Sequence, residues 1–172
     1  MYHEYITPAG FDNLLLQSDG DVLIGLNFVE TFSETSLMLS SSAPPIPPIL
    51  QDTIHWLDIY FSGHNPNFTP AYRVDNQTPF RKDVIEILTK IPFGKTVTYG
   101  EIATEIAQKY GIPKMSAQAV GNAVGWNPIC IVIPCHRVIG TNGKLVGYGG
   151  GIKNKEALLR LEGVKSNYIL FP

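Results

Sequence analysis

The segment Ala43-Pro44-Pro45-Ile46-Pro47-Pro48 crowds four prolines into five residues. Proline lacks an amide hydrogen and has a fixed φ, so this run enters neither a helix interior nor a sheet centre. Regular elements must therefore end before it or begin after it. Upstream, Asn13–Ser18 and Val22–Val29 are apolar runs on either side of Ser18-Asp19-Gly20-Asp21, a spacing that predicts a β-hairpin. Thr31–Ser42 is polar and rich in Ser and Thr, and reads as a surface loop. Downstream, Ile54, Leu57 and Phe61 fall on one face of a helix over Ile49–Phe61, with Gly63 as its stop.

Asn65–Gln77, with Pro66 and Pro70, reads as a linker, and the domain boundary is expected near residue 76, dividing the chain into 1–76 and 77–172. The second half opens with Thr78 as an N-cap and Pro79 at the first helical position. Val84, Ile85, Leu88 and Ile91 then mark one helical face until Pro92. Thr98-Tyr99-Gly100-Glu101 fits a capping box, with Ile102, Ala103, Ile106 and Ala107 on the buried side of the helix it starts. Gly111-Ile112-Pro113 breaks that helix, and Ser116 caps a short one over Ala117–Val124. Two short helices about a Gly/Pro turn have the outline of a helix-turn-helix. The second is rich in small residues (Ala117, Ala119, Gly121, Ala123), which permits close approach to DNA or to the protein's own core. Ile129–Ile133 is expected to be a buried strand stopping at Pro134. Thr141-Asn142-Gly143 is a turn and Gly147–Gly151 a Gly-rich loop. A last helix is predicted over Lys153–Glu162, burying Ala157, Leu158 and Leu161.

At 172 residues and 44% hydrophobic, the chain can bury a real core. No stretch nears the roughly 20 apolar residues of a membrane span, and the N-terminus does not look like a secretory signal. With two cysteines, Cys130 and Cys135, there is no disulfide framework, so a reducing cytoplasm is the expected compartment. The net charge of −2 conceals a segregation. Residues 1–72 hold eight acids and no Lys or Arg, whereas all thirteen basic residues share 73–172 with seven acids. The basic half could meet phosphates, or its charge could merely solubilise it; charge alone leaves both open. The acidic half is expected to be a scaffold facing away from any nucleic acid.

Cys135 is the sharpest chemical feature. A thiol reacts as thiolate, with a free pKa near ~8.5, and needs a base or a positive field to be nucleophilic at neutral pH. His136 and Arg137 follow it directly. Adjacent side chains diverge, so a water would relay the proton between Cys135 and His136. Cys130, inside the apolar run, reads instead as a small buried hydrophobe. A metal site built from Cys130, Cys135 and His136 falls short on ligand count, and His3, His55 and His64 are scattered in the other half. A Cys-His hydrolase would need an orienting Asn or Asp and an oxyanion hole that no motif signals. A helix-turn-helix regulator would leave Pro134-Cys135-His136-Arg137 unused.

The run Ile133-Pro134-Cys135-His136-Arg137-Val138 resembles the active-site signature of the O6-alkylguanine-DNA alkyltransferases. Thr98-Tyr99-Gly100-Glu101-Ile102-Ala103, Ala119-Val120-Gly121, Asn127-Pro128, Tyr148-Gly149-Gly150-Gly151 and Leu161-Glu162-Gly163 resemble the family's other motifs in order, over about 78–163. Residues 1–75 resemble only the outline of its variable N-terminal domain. The resemblance implies an α+β protein, with an N-terminal α/β, ribonuclease-H-like domain carrying antiparallel strands and a C-terminal winged helix-turn-helix-type domain. It implies direct, single-turnover repair of O6-alkylguanine, and of O4-alkylthymine, in double-stranded DNA by a monomer, with no cofactor and no metal. Cys135 would accept the alkyl group, His136 would act through water with Glu162 orienting it, Asn127 would brace the turn and Tyr99 would donate a proton to guanine. Tyr148, Gly149 and Gly150 would line the base pocket and the Val138 carbonyl would read the guanine amino group. Gln118, Ala119, Gly121 and Arg137 would meet DNA. Where many members carry an intercalating Arg this chain has Gln118, and its inter-helix turn around Lys109–Met115 is longer than in the shortest members. Alkyltransferase-like proteins share the fold but lack the cysteine. The Gly-rich loop further suggests a roomy pocket able to take adducts bulkier than methyl.

Overall fold

The computed structural model describes residues 1–29 and 45–165. The polar loop expected over 31–42 lies outside the described residues. The architecture is α+β, with helices around a small antiparallel sheet and a two-stranded parallel ladder.

Strands β1 (Tyr2–Tyr5), β2 (Asn13–Ser18) and β3 (Leu23–Val29) form the sheet in that order. The hairpin forms as its sequence predicts, and β2 alternates inward and outward, burying Leu14, Leu16 and Ser18. β1, too short to show a pattern, was not anticipated. The Asp-Gly turn is held by the Asp19 carboxylate, which accepts from the amides of Asp21 and Val22 at 3.0 Å each. Helix α1 (Pro48–Phe61) starts on the last proline of the run, where a missing amide costs nothing, and buries Leu50, Trp56, Leu57 and Tyr60.

The free edge of β3 decides how the halves meet. Leu23 forms a parallel bridge with Tyr72, and Leu26 forms one with Ile129. The segment expected to be a linker is thus tied to the sheet, through Leu23 N–H to Ala71 O and Arg73 N–H to Leu23 O at 2.9 Å each. Leu26 N–H donates to Pro128 O at 2.9 Å, and Cys130 N–H donates to Leu26 O at 2.8 Å. One apolar core runs through both halves, from Leu14 and Leu57 to Ile106 and Leu158.

In the second half α2 (Pro79–Leu88) is capped by Thr78, whose hydroxyl accepts from Arg81 N–H. It stops short of the expected end, because the ring of Pro92 would collide with the carbonyl four residues earlier, that of Leu88. Strand β4 (Val97–Thr98) leads into α3 (Tyr99–Tyr110), which carries the full capping box with Thr98 and Glu101 and ends on left-handed Gly111. Ser116 caps α4 (Ala117–Gly125). β5 (Val138–Ile139) pairs in parallel with β4, and α5 (Ile152–Leu161) closes the fold. No helix among the described residues is long and apolar enough to cross a membrane.

The expected strand over Ile129–Ile133 is absent. Only Ile129 bridges, and the chain then turns tightly, with Ile131 at φ 65°. A β-branched residue in the left-handed region is strained. Its apolar side chain is nonetheless buried, and Ile133 N–H closes the turn on Ile129 O at 3.0 Å.

Candidate active site

Asn127 holds this turn from inside. Its carbonyl oxygen accepts from Ile129 N–H at 3.0 Å, and its amide donates to Ile133 O at 2.8 Å and to Ile129 O at 3.3 Å. The same amide reaches Cys135 Sγ at 3.0 Å. Cys135 thereby starts a single 3-10 turn, Cys135–Arg137, with its thiol fixed by a donor suited to a developing anion. Burial pushes the thiol up, and the Asn127 hydrogen bond and the charge of Lys155 oppose that shift.

His136 is fully buried, with Nε2 2.7 Å from Glu162 Oε1. Burial opposes ionisation of Glu162, but hydrogen bonds and charge from His136 and Arg137 outweigh it and bring the carboxyl down to about 2. An ionised carboxylate only accepts, so Nε2 carries the proton. Burial lowers the imidazole pKa despite Glu162, so the ring is neutral at pH 7 and Nδ1 holds a lone pair. Nδ1 is buried and has no hydrogen-bond partner among the described residues. The pairing has a consequence for acid stability. The depressed Glu162 pKa contributes stability that is complete above the unfolded value near 4.5 and lost as pH falls through about 2. Urea midpoints should therefore drop over that range, and Glu162→Gln should flatten the drop.

Arg137 corrects the sequence reading. It was expected to meet DNA, yet it is 8% exposed, donating to Glu162 through Nε at 2.9 Å and Nη2 at 2.9 Å and to Ile91 O through Nη1 at 2.6 Å. A buried carboxylate needs a counter-charge, and Arg137 supplies it. Two further groups on Glu162 were not found by sequence reasoning. Gly94 N–H donates to Oε2 at 2.9 Å, and a Cβ at Gly94 (φ 71°) would come within 2.8 Å of the Glu162 carbonyl oxygen. Tyr60 of α1 donates to Oε1 at 2.8 Å and lies 3.3 Å from His136 Nε2.

The sulfur lies on a cleft of about 930 Å³, with α4 on one side and the Val146–Gly150 segment on the other. Gln118, Gly121, Tyr99, Tyr148, Gly149 and Gly150 all line it, as the sequence motifs suggest. Gln118 is exposed. Ala119 lines a separate hollow together with Phe80 and Arg81, and Val138 is buried in β5 outside the lining of the cleft. The Tyr99 hydroxyl lies 3.3 Å from the carbonyls of Val146 and Gly147. Burial and the nearby Cys135 raise it to about 12, so it stays protonated. The acidic half is not remote: Asn27 lines the cleft, and Phe28 packs edge-on to Tyr148 with centroids 6.4 Å apart. A Cβ on Gly150 would fall 2.5 Å from the Phe28 ring and 2.8 Å from Tyr148, so only glycine fits there. Asn154 of α5 fastens this loop, donating to Gly150 O and to Asp12 Oδ2 at 2.7 Å each. Among the described residues no three His, Cys, Asp or Glu side chains gather to hold a metal ion.

Residues 79–164 match the family profile described as 6-O-methylguanine DNA methyltransferase, DNA binding domain. The methylated-DNA–protein-cysteine methyltransferase of Mycobacterium tuberculosis is 41% identical, over 94% of this chain and 93% of its own. The chain belongs to this family. The protein of the same name from Methanosarcina acetivorans is also 41% identical, over 94% of this chain and 97% of its own. A crystal structure of the M. tuberculosis O6-methylguanine methyltransferase superposes with a TM-score of 0.72 at 40% identity, covering 94% of this chain and 93% of that one. A second, of the M. tuberculosis OGT protein in complex with DNA, gives 0.73 at 40% identity, covering 94% and 91%. Membership agrees with the resemblance carried by Ile133–Val138 and by the motifs on either side of it.

Proposed function

We propose that Cys135 is the acceptor in the reaction of the methylated-DNA–protein-cysteine methyltransferases, DNA repair by transfer of an alkyl group from DNA to a protein cysteine. The substrate is O6-alkylguanine, and O4-alkylthymine, in double-stranded DNA, engaged by a monomer. One observation carries the reading. The thiol sits on a cleft, bonded to Asn127, beside a neutral imidazole fixed on Glu162 through Nε2 with Nδ1 unpartnered.

The chemistry follows from that arrangement. The thiol proton passes through a water to His136 Nδ1, and Glu162, which Arg137 helps to keep ionised, stabilises the imidazolium. The sulfur lone pair forms a bond to the alkyl carbon as the carbon–O6 bond breaks. The electron pair of that bond leaves with guanine, and Tyr99 gives guanine a proton; the His136 proton later restores Tyr99 through solvent. Water does not reverse the thioether, so each molecule acts once.

An alkylated O6 is out of reach inside the duplex, so the nucleotide must be extruded into the cleft, at a few kcal/mol of unstacking. Helix α4 would lie in the minor groove with Gln118 entering the stack, and exposed lysines such as Lys114 and Lys144 would neutralise phosphates. The first half is read as ribonuclease-H-like, and α3–α4 with β4–β5 as the winged helix-turn-helix-type half. Gln118 hydrogen-bonds the orphaned base without adding charge. Gln118→Ala is expected to slow transfer from duplex DNA about tenfold, of the order of 1–2 kcal/mol, and to leave transfer from free O6-alkylguanine base unchanged. Equal losses on both would remove Gln118 from the flipping step.

Incubation of the protein with duplex carrying labelled O6-methylguanine tests the function. One equivalent of label per protein and no turnover is expected, and continued turnover would contradict it. A benzyl adduct in the same assay tests the room in the cleft. Transfer at the methyl rate or near it is expected, and a drop to background would end that part of the reading.

A further inference from the structure

Tyr60 is a buried ionisable group that the mechanism leaves unused. It is 0% exposed and comes from α1, in the acidic half. Its ring is held on several sides, stacked on Trp56 with centroids 5.4 Å apart and edge-on to Phe61 at 5.5 Å and to Phe93 at 5.9 Å. Those contacts are aromatic, and a phenylalanine would make them equally well. The hydroxyl needs a reason of its own, because a buried O–H without a partner is costly. It lies 2.8 Å from Glu162 Oε1 and 3.3 Å from His136 Nε2.

The proton count fixes the direction of these bonds. Nε2 carries the imidazole proton and gives it to Oε1 at 2.7 Å. The phenol keeps its own proton, since burial and the Glu162 charge hold Tyr60 well above the ordinary phenol range, and donates it to the same oxygen. Oε1 also accepts from Arg137 Nη2 at 2.9 Å, while Oε2 accepts from Gly94 N–H and Arg137 Nε at 2.9 Å each. A carboxylate oxygen offers about two lone-pair sites, so three side chains compete for Oε1. Arg137 already supplies the counter-charge that burying Glu162 demands. What Tyr60 adds is a claim on the oxygen that His136 uses. The other titratable groups acting on the pair are Lys155 of α5, which is bound to the Val146 and Gly147 carbonyls and whose charge acts on His136, and Cys130, whose thiol acts on Tyr60.

We propose that Tyr60 is a positioning residue for alkyl transfer: its hydroxyl, delivered by the first half of the chain, shares Glu162 Oε1 with His136 and sets how strongly that carboxylate pulls on the imidazole. The proposal rests on His136 serving Cys135 as the base, but it concerns the His136–Glu162 bond and can be tested without DNA. The ring nitrogens of His136, followed by NMR in the whole chain, give its titration. Tyr60→Phe keeps the ring and deletes only the donor, so Oε1 is left more fully to the imidazole. The His136 midpoint should rise by about one pH unit, with the Nε2 proton moved downfield and still slow to exchange. Water entering a loosened core would also raise the midpoint but would make that proton exchange fast, and this result overturns the proposal. With 3-fluorotyrosine in place of Tyr60, a stronger donor sits in the same cage and the midpoint should fall. Opposite shifts from a weaker and a stronger donor are what a purely structural role would not give. An unmoved midpoint in either folded protein, or shifts of one sign in both, overturns the proposal. If Tyr60→Phe does not fold, the fluorotyrosine protein decides alone. In single-turnover transfer the acid limb of the pH profile should follow the midpoint in each case, with the alkaline plateau kept. Absence of transfer from O6-methylguanine DNA with both shifts intact would refute the repair function and not the part of Tyr60 in the His136–Glu162 bond.

Discussion

Cys135→Ser should reduce alkyl transfer to the uncatalysed background while leaving the fold and DNA binding in place. Cys135 is 6% exposed, and Ser fits its place, being slightly smaller and keeping an acceptor for Asn127. What changes is the nucleophile. A thiol near ~8.5 can be ionised by a neighbouring imidazole, and a hydroxyl cannot be to a useful extent. The remaining machinery, Asn127, His136 and Glu162, is arranged for an anion the serine does not form. Single-turnover transfer and gel-shift binding on the same duplex separate the two effects. Residual transfer within tenfold of the parent protein would mean that another residue accepts the alkyl group.

The largest stability effect is expected at Arg137. Removing one partner of a buried ion pair typically costs 3–5 kcal/mol, because the other charge is left without compensation. Arg137→Ala deletes the donors at 2.9 Å to both Glu162 oxygens and the one to Ile91 O. The loss, about 3–5 kcal/mol, should appear in urea unfolding at pH 7. Activity should fall for a separate reason. Burial lowers the His136 pKa most, and the Arg137 charge adds to it, so removing Arg137 moves that pKa upward. Fewer rings are then free to take the thiol proton at the lower end of the pH range. Transfer by Arg137→Ala should accordingly recover as pH rises, over a range where the parent protein is already at its plateau. Unchanged stability would show that the pair is not the counter-charge described above.

Local signals in the sequence survive folding well. The Thr78, Thr98 and Ser116 caps and the Gly111 stop all depend on neighbours within a turn, and each forms as read. The chemistry around Cys135 was legible through its motif. Elements set by distant partners were not. Ile129–Ile133 has the β-branched alternation of a strand, but Leu26 from the other half and the Asn127 side chain bend it into a turn. Arg137 was expected to meet DNA, and the burial of Lys155 was not foreseen, because what holds them, Glu162 and the Val146–Gly147 carbonyls, lies elsewhere in the chain or on another element. In α5 the expected Ala157 and Leu161 are only half-buried, whereas Asn154 and Lys155 are buried. Tyr60 could not be assigned to the site at all, since it sits 76 residues from His136 and in the half read as a scaffold.

The central claim is that Cys135 receives the alkyl group, and peptide mass analysis after reaction with O6-methylguanine duplex tests it most directly. One added methyl on the Cys135 peptide, at one equivalent and with the Cys130 peptide unchanged, is the predicted result. Unmodified Cys135 with the DNA still methylated, or a methyl found on another peptide, would contradict it.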